Sequence, residues 1–179
     1  MKGAFAKGER IYLAPLELKS VENYLRWFND PEVTKYLAMY YPVNSFCEKS
    51  YIENASRAGD QVAFDIHLLD GDRHIGNCAL TQIDWVNRKC MFGIAIGEKD
   101  CWDKGYGTEV SELCVRYAYD RLNMHRVGLE VYDYNGRGMR SYEKAGFVVE
   151  GRLRESKYLD GHYYDTVLMS VINSRDKEA

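Results

Sequence analysis

The stretch Trp102-Asp103-Lys104-Gly105-Tyr106-Gly107-Thr108-Glu109 decides how the rest of the chain is read. It follows an apolar, strand-like run, Cys90 to Gly97, and opens a helical one, Thr108 to Leu122. In the latter Val110, Leu113, Cys114, Tyr117 and Leu122 fall on or near one face. Glycines at such a junction let the backbone approach a ligand closely. The first N–H groups of a helix have no partner within it, and the helix dipole adds partial positive charge there, which favours a phosphate or pyrophosphate. By itself a Gly-x-Gly pair is more often an ordinary tight turn, so the flanking sequence has to carry the reading. A dinucleotide-binding fingerprint is disfavoured, because Val110 stands where the third glycine would be and no strand–helix–strand unit with a following acidic residue surrounds it. A P-loop is disfavoured because no Gly-Lys-Ser/Thr occurs.

Upstream, Ile11 and Leu13 mark a short strand ended by Pro15, and Leu18 to Phe28 has helical spacing stopped by Asn29-Asp30-Pro31. Asn44 or Ser45 can cap a second helix running to about Arg57. Val62–Leu69, His74–Ile83 and Cys90–Gly97 are joined by short polar turns, which predicts an antiparallel meander. Downstream, Arg126–Val131 is a β-rich run. Arg137–Ala145 is helical and closed by Gly146. Phe147–Tyr158 and Tyr163–Ile172 are strands about a hairpin turn at Asp160-Gly161. Strand, two helices, three strands, helix, strand, helix, two strands is the order of an α+β, or mixed α/β, layered domain. No linker-like segment or repeat interrupts it, so residues 1–179 are expected to form a single domain.

The composition agrees: 46% apolar, 28% charged and 3 prolines among 179 residues is ordinary for a globular protein. With 24 Lys plus Arg against 27 Asp plus Glu the net charge is −3. That is a poor balance for a nucleic-acid binder, so no nucleic-acid partner is expected. Apolar runs are too short for a membrane helix, and Met1 to Arg10 lacks a signal-peptide stretch. No membrane association is expected. Cys47, Cys78, Cys90, Cys101 and Cys114 are odd in number and contain no Cys-x-x-Cys, which reads as scattered buried thiols in a reducing cytoplasm. His67, His74, His125 and His162 show no metal-ligand spacing, so no metal is expected.

Three late segments, taken in order with the glycine loop, are more specific than any one alone: "LNMHRVGLEVYDYN" (Leu122 to Asn135), "SYEKAGF" (Ser141 to Phe147) and "EGRLRE" with "DGHYYDTVLMS" (Glu150 to Ser170). With "WFNDPEV" (Trp27 to Val33), the chain resembles the GNAT acetyltransferase superfamily, in the branch of ribosomal-protein N-terminal and spermidine acetyltransferases. The resemblance implies a central, mostly antiparallel twisted sheet of about seven strands flanked by about four helices. Its fourth and fifth strands, here 92–96 and 126–131, would splay apart with acetyl-CoA between them.

It also implies site residues. The loop Trp102, Asp103, Lys104, Gly105, Tyr106, Gly107 and Thr108 matches the family's pyrophosphate-binding pattern, with Trp102 standing where Gln or Arg is common. Phe92, Ile94, Ala95 and Ile96 would lend main-chain groups to the pantetheine arm. Asn135 would contact the pantetheine, Gly138 would allow close approach, and Lys144 would be a contact for the 3′-phosphate or merely a solvated lysine. Tyr142 resembles the family's general acid for the leaving thiolate. Relatives are often dimers, so a homodimer is expected.

Amine attack on a thioester needs a neutral amine, an oxyanion donor and a proton for the departing sulfur. The base is where this sequence departs from its relatives: in "NRKCMFGIAI" (Asn87 to Ile96), Met91 falls where a Glu is frequent. Asp84, Glu130 or a water chain remain, while Glu98 lies near the cofactor loop instead. About a tenth of an α-amine is neutral at pH 7, against well under a thousandth of a lysine-like amine. A weak base therefore costs less with an N-terminal α-amine, and a protein or peptide N-terminus is the expected acceptor. The alternatives are a small amine (spermidine, an aminoglycoside or an amino-sugar) or a non-catalytic acyl-CoA sensor. Cys101 has no adjacent His to make it a nucleophile.

Overall fold

The computed structural model describes residues 3–174; residues 1–2 and 175–179 of the expected domain lie outside the described residues. In chain order the elements are β1 (Ala6–Lys7), β2 (Ile11–Pro15), α1 (Val21–Phe28), α2 (Pro31–Thr34), α3 (Ser45–Ala55), β3 (Val62–Leu68), β4 (His74–Asp84), β5 (Lys89–Ile96), α4 (Tyr106–Asp120), β6 (Arg126–Tyr132), α5 (Gly136–Lys144), β7 (Val148–Leu159) and β8 (His162–Ile172). The strands form one sheet in the order β1-β2-β3-β4-β5-β6-β8-β7. Every neighbouring pair is antiparallel except β5 and β6.

The expected mixed α/β architecture is the one observed, with one strand and one helix more than expected. The extra strand, β1, is two residues long. The extra helix, α2, starts at the very residues read as a stop. Asp30 caps it by accepting from the Glu32 amide at 2.9 Å, and Pro31 occupies the first turn, where its missing N–H costs nothing.

Two apolar layers hold the helices to the sheet. Val110, Leu113, Cys114 and Ala118 of α4 pack on Ile11, Leu13, Ile66, Ile75, Leu80, Val127 and Leu129. Tyr24, Trp27 and Phe28 of α1, with Val33 and Ile52, form the second layer. Alternation along β5 sends Ile94 and Ile96 to the first layer and Ala95 to the second, so α1–α3 and α4 lie on opposite faces. Helix α4 begins at Tyr106, two residues before the expected start, and Leu122 lies beyond its end. Four of the five thiols are buried, but Cys47 is exposed on the first turn of α3, which corrects the expectation that all are core residues. Among the described residues no helix is long and apolar enough to cross a membrane.

The feature that makes the site is a separation of strands. β5 pairs with β6 only through Lys89–Arg126, Cys90–Val127 and Met91–Gly128. Beyond that point β5 stays bonded to β4 as far as Ile96, and β6 to β8 as far as Tyr132. A gap opens between them, as expected for residues 92–96 and 126–131. Met91 lies against Gly128 where the strands part: a Cβ on Gly128 would stand 3.0 Å from the Met91 sulfur.

Candidate active site

The gap is the floor of a cleft of about 400 Å³ between β5 and β6, walled by the first turn of α4, by α5 along its length and by residues 33 and 36–38. Of the residues singled out from the sequence, Phe92, Ile94, Ala95, Ile96, Trp102, Asp103, Gly105, Tyr106, Gly107, Thr108, Asn135, Gly138, Tyr142 and Lys144 all line it. Lys104 does not. It is exposed, and its carbonyl accepts from the Arg10 guanidinium at 2.8 Å, so its backbone is tied to the outer end of β2.

The start of α4 has the geometry that can receive an anion. Gly105 has φ +81°, a left-handed conformation that glycine adopts without strain, and no side chain caps the helix. The first amides are therefore not taken up by a capping side chain. Glu109, in the first turn of α4, is engaged by the residues that open β2. Its carboxylate accepts from the Arg10 amide at 2.8 Å, the Arg10 Nε at 3.1 Å and the Ile11 amide at 3.3 Å. Gly107 serves packing as well as access, since a Cβ there would meet Ser141 Oγ at 3.1 Å.

Asn135 caps α5, its Oδ1 accepting from the Gly138 amide at 2.9 Å. A Cβ on Gly138 would stand 2.7 Å from the Asn135 amide nitrogen, so the close approach expected at Gly138 is to its own cap.

The position of Tyr142 is set by the other end of α5. Gly146, at φ +91°, donates to the Glu143 carbonyl at 3.0 Å, and Phe147 donates to the Tyr142 carbonyl at 3.0 Å. That is a Schellman closure. The accompanying ring contact joins Phe147 to Tyr142 at 6.0 Å, and Phe92 of β5 meets Tyr142 edge-on at 6.3 Å. The phenol oxygen has no hydrogen-bond partner among the described residues, and burial pushes its pKa up to about 12.

The candidate bases separate cleanly. Asp84 lies outside the cleft, and bonds from the Asn87 side chain and backbone hold its carboxyl below the ordinary range. Glu98 is buried. Burial alone would raise its carboxyl, but Arg26, the Trp27 indole and Arg73 outweigh that and hold it low. Glu130 is the candidate base that lines the cleft. Tyr163, Tyr164 and Asp165 of β8 also lie outside the cleft lining: Tyr164 packs on Tyr134 and Asp165 pairs with Arg152.

Sequence reading missed Arg137, Arg140, Tyr36 and Tyr132, all of which line the cleft. The Arg137 guanidinium lies 4.0 Å from the Trp102 ring centre and 5.2 Å from that of Tyr36, so a cation sits over the side chain that replaces the family's Gln or Arg. Residues 137, 140 and 144 are one helical face, and the spacing i, i+3, i+7 was the available signal.

Away from the cleft, Asp65, His67 and His74 bring their ligand-type atoms within 4.8 Å of one another, a cluster that spacing did not suggest. The atoms are mostly spoken for. Asp65 accepts from Ser20 at 2.5 Å and from Tyr24, while His74 contacts Asp65, the Gly76 carbonyl and Asn23.

Residues 10–148 match the family model described as the acetyltransferase (GNAT) domain. The uncharacterized N-acetyltransferase p20 of Bacillus licheniformis is 27% identical over 171 residues, covering 92% of this chain and 93% of that protein. A Bacillus subtilis protein provisionally named ribosomal N-acetyltransferase YdaF is 31% identical over 105 residues, 59% of this chain and 56% of that one. Among solved structures, spermidine N-acetyltransferase from Vibrio cholerae in complex with CoA and spermine superposes with a TM-score of 0.82 at 25% identity, covering 92% of this chain and 96% of that one. The chain belongs to the GNAT acetyltransferase family and is an N-acetyltransferase.

Proposed function

We propose that the cleft binds acetyl-CoA and transfers its acetyl group directly to a primary amine, and that this amine is the α-amine of a protein or peptide N-terminus. The observation that carries the reading is the gap left where β5 and β6 part after Met91 and Gly128, with an uncapped helix N-terminus on its wall and Tyr142 lining it. In this reading the pyrophosphate takes the amides of Tyr106, Gly107 and Thr108, and Arg137 supplies the cation that Trp102 does not. Lys144 and Arg140 extend the same positive face. The pantetheine arm follows the β5 edge that β6 leaves unpaired from Phe92 onward.

The amine nitrogen attacks the thioester carbonyl, whose oxygen accepts from a β5 amide. Glu130 takes the amine proton. The C–S bond then breaks and the sulfur departs toward the Tyr142 hydroxyl. A thiol ionises near 8.5, so complete proton transfer from a phenol at about 12 is uphill by about 5 kcal/mol. Tyr142 therefore acts chiefly by donating a hydrogen bond to the developing thiolate. Because its pKa is high, it keeps that proton throughout the physiological range.

A second reading, acetylation of a polyamine, is favoured by the named activity of the Vibrio cholerae relative. Release of CoA from acetyl-CoA over a panel of N-terminal peptides, spermidine, an aminoglycoside and an amino-sugar nucleotide decides between them. The main reading expects the highest kcat/KM with a peptide; faster turnover of spermidine overturns it.

A further inference from the structure

Behind two residues that line the cleft, Tyr132 and Leu37, lies a cation of the chain's own. Lys157, on β7, is 3% exposed, and its ammonium lies 4.2 Å from the ring centre of Tyr40 and 4.6 Å from that of Tyr132. Its hydrogen bond goes to the Leu37 carbonyl at 3.4 Å. Tyr132 and Leu37 line the cleft. More tyrosines stand behind them: Tyr134 is 5.5 Å from Tyr132, 4.6 Å from Tyr164 and 6.2 Å from Tyr36. Among the described residues no carboxylate lies within ion-pair distance of Lys157. Asp133 and Asp165 are met by Arg152 at 3.9 and 3.0 Å.

Lysines are seldom this buried without an acidic partner, and the tyrosine faces are what compensates this one. A cluster of tyrosine faces beside a cleft would otherwise take an ammonium from a ligand. Here two of those faces are already filled. A second or third ammonium reaching these faces would meet a fixed like charge in a partly desolvated place, where repulsion is stronger than in water.

We infer that Lys157 is a specificity-determining residue that excludes polycationic acceptors and admits amines carrying one positive charge. The inference rests on the proposed acetyl transfer in this cleft. It is tested by the ratio of kcat/KM for spermidine to that for butylamine, which cancels general damage to the enzyme. Lys157→Met should raise the ratio by about tenfold or more, because two cation–π faces are vacated and the repulsion is lost. Lys157→Arg, which keeps the charge, should leave the ratio near that of the wild type.

An unchanged ratio in Lys157→Met, or an equal rise in both variants, overturns the inference. If Lys157→Met does not fold, the wild type still decides: added salt screens repulsion and should raise the ratio, whereas a fall means net attraction of spermidine and overturns it. Turnover of butylamine with no change in ratio refutes the role of Lys157 alone. Absence of turnover on every amine overturns the acetyl-transfer reading of the cleft, and this inference with it.

Discussion

Replacing Tyr142 by Phe removes one oxygen and leaves the packing intact. The ring keeps its contacts with Phe92 and Phe147, and α5 keeps its Schellman closure, because that closure uses the Tyr142 carbonyl rather than the side chain. No hydrogen bond among the described residues is lost, so no buried partner is orphaned and the melting temperature should stay within about 2 °C. The catalytic cost can be bounded. Full proton transfer from a phenol at about 12 is too unfavourable to be the main contribution, which leaves a preorganised hydrogen bond to a charge that develops in a desolvated site. Losing such a donor costs about 2.7–4 kcal/mol, or roughly 10²–10³ in kcat.

The assay is steady-state CoA release, paired with a direct titration of acetyl-CoA binding. The account expects kcat to fall by that factor with the dissociation constant unchanged. The pH profile adds a second reading. At pH 9.5 less than about 1% of a phenol at about 12 is ionised, against about a quarter of an ordinary tyrosine, so the wild-type rate should not decline there through Tyr142. A kcat within about threefold of wild type, or a loss explained wholly by weaker cofactor binding, would refute the reasoning.

Three further outcomes follow from the same geometry. Glu130→Gln should lower kcat by more than about tenfold at pH 7, with the deficit shrinking as pH rises and the acceptor amine deprotonates unaided; a pH-independent deficit would argue against a base at Glu130. Arg137→Ala should weaken acetyl-CoA binding by about tenfold or more while leaving kcat at saturation nearly intact, as judged by calorimetry and kinetics together. The third concerns stability. Burial lowers the His67 pKa, so the unfolded chain binds more protons than the folded one as pH falls through about 6.5, and stability is lost on acidification. Urea unfolding should show up to about 1.4 kcal/mol lost through His67 between pH 7.5 and 5.5. His67→Gln, which can still donate to the Asp72 carbonyl, should flatten that slope.

What the sequence made legible is mostly what is local. The turn at Gly105 and the closure at Gly146 each depend on a few neighbouring residues, and together they place the α4 start and Tyr142, whereas the capping of α5 by Asn135 was not read from the sequence. The parting of residues 92–96 from 126–131 came from the family resemblance, because register between distant strands has no local signal. Arg137 was passed over because its meaning depends on Trp102, a residue 35 positions earlier that it covers in space. Lys157 was illegible for the same reason: an isolated lysine in a charged strand reads as solvent-facing until Tyr40 and Tyr132 are brought over it from two other parts of the chain. Asp65, His67 and His74 look scattered because adjacent antiparallel strands bring them together, and His67 pairs directly with His74 in the register. Glu98 looked like a cofactor-loop acid, yet three long-range donors make it structural.

The most direct test is a crystal structure of the chain with CoA. The account predicts the pyrophosphate oxygens within hydrogen-bond reach, about 3 Å, of the Tyr106, Gly107 and Thr108 amides, and the thiol sulfur within about 3.5 Å of the Tyr142 hydroxyl. CoA bound outside the gap between β5 and β6, or bound there with its sulfur turned away from Tyr142, would contradict it.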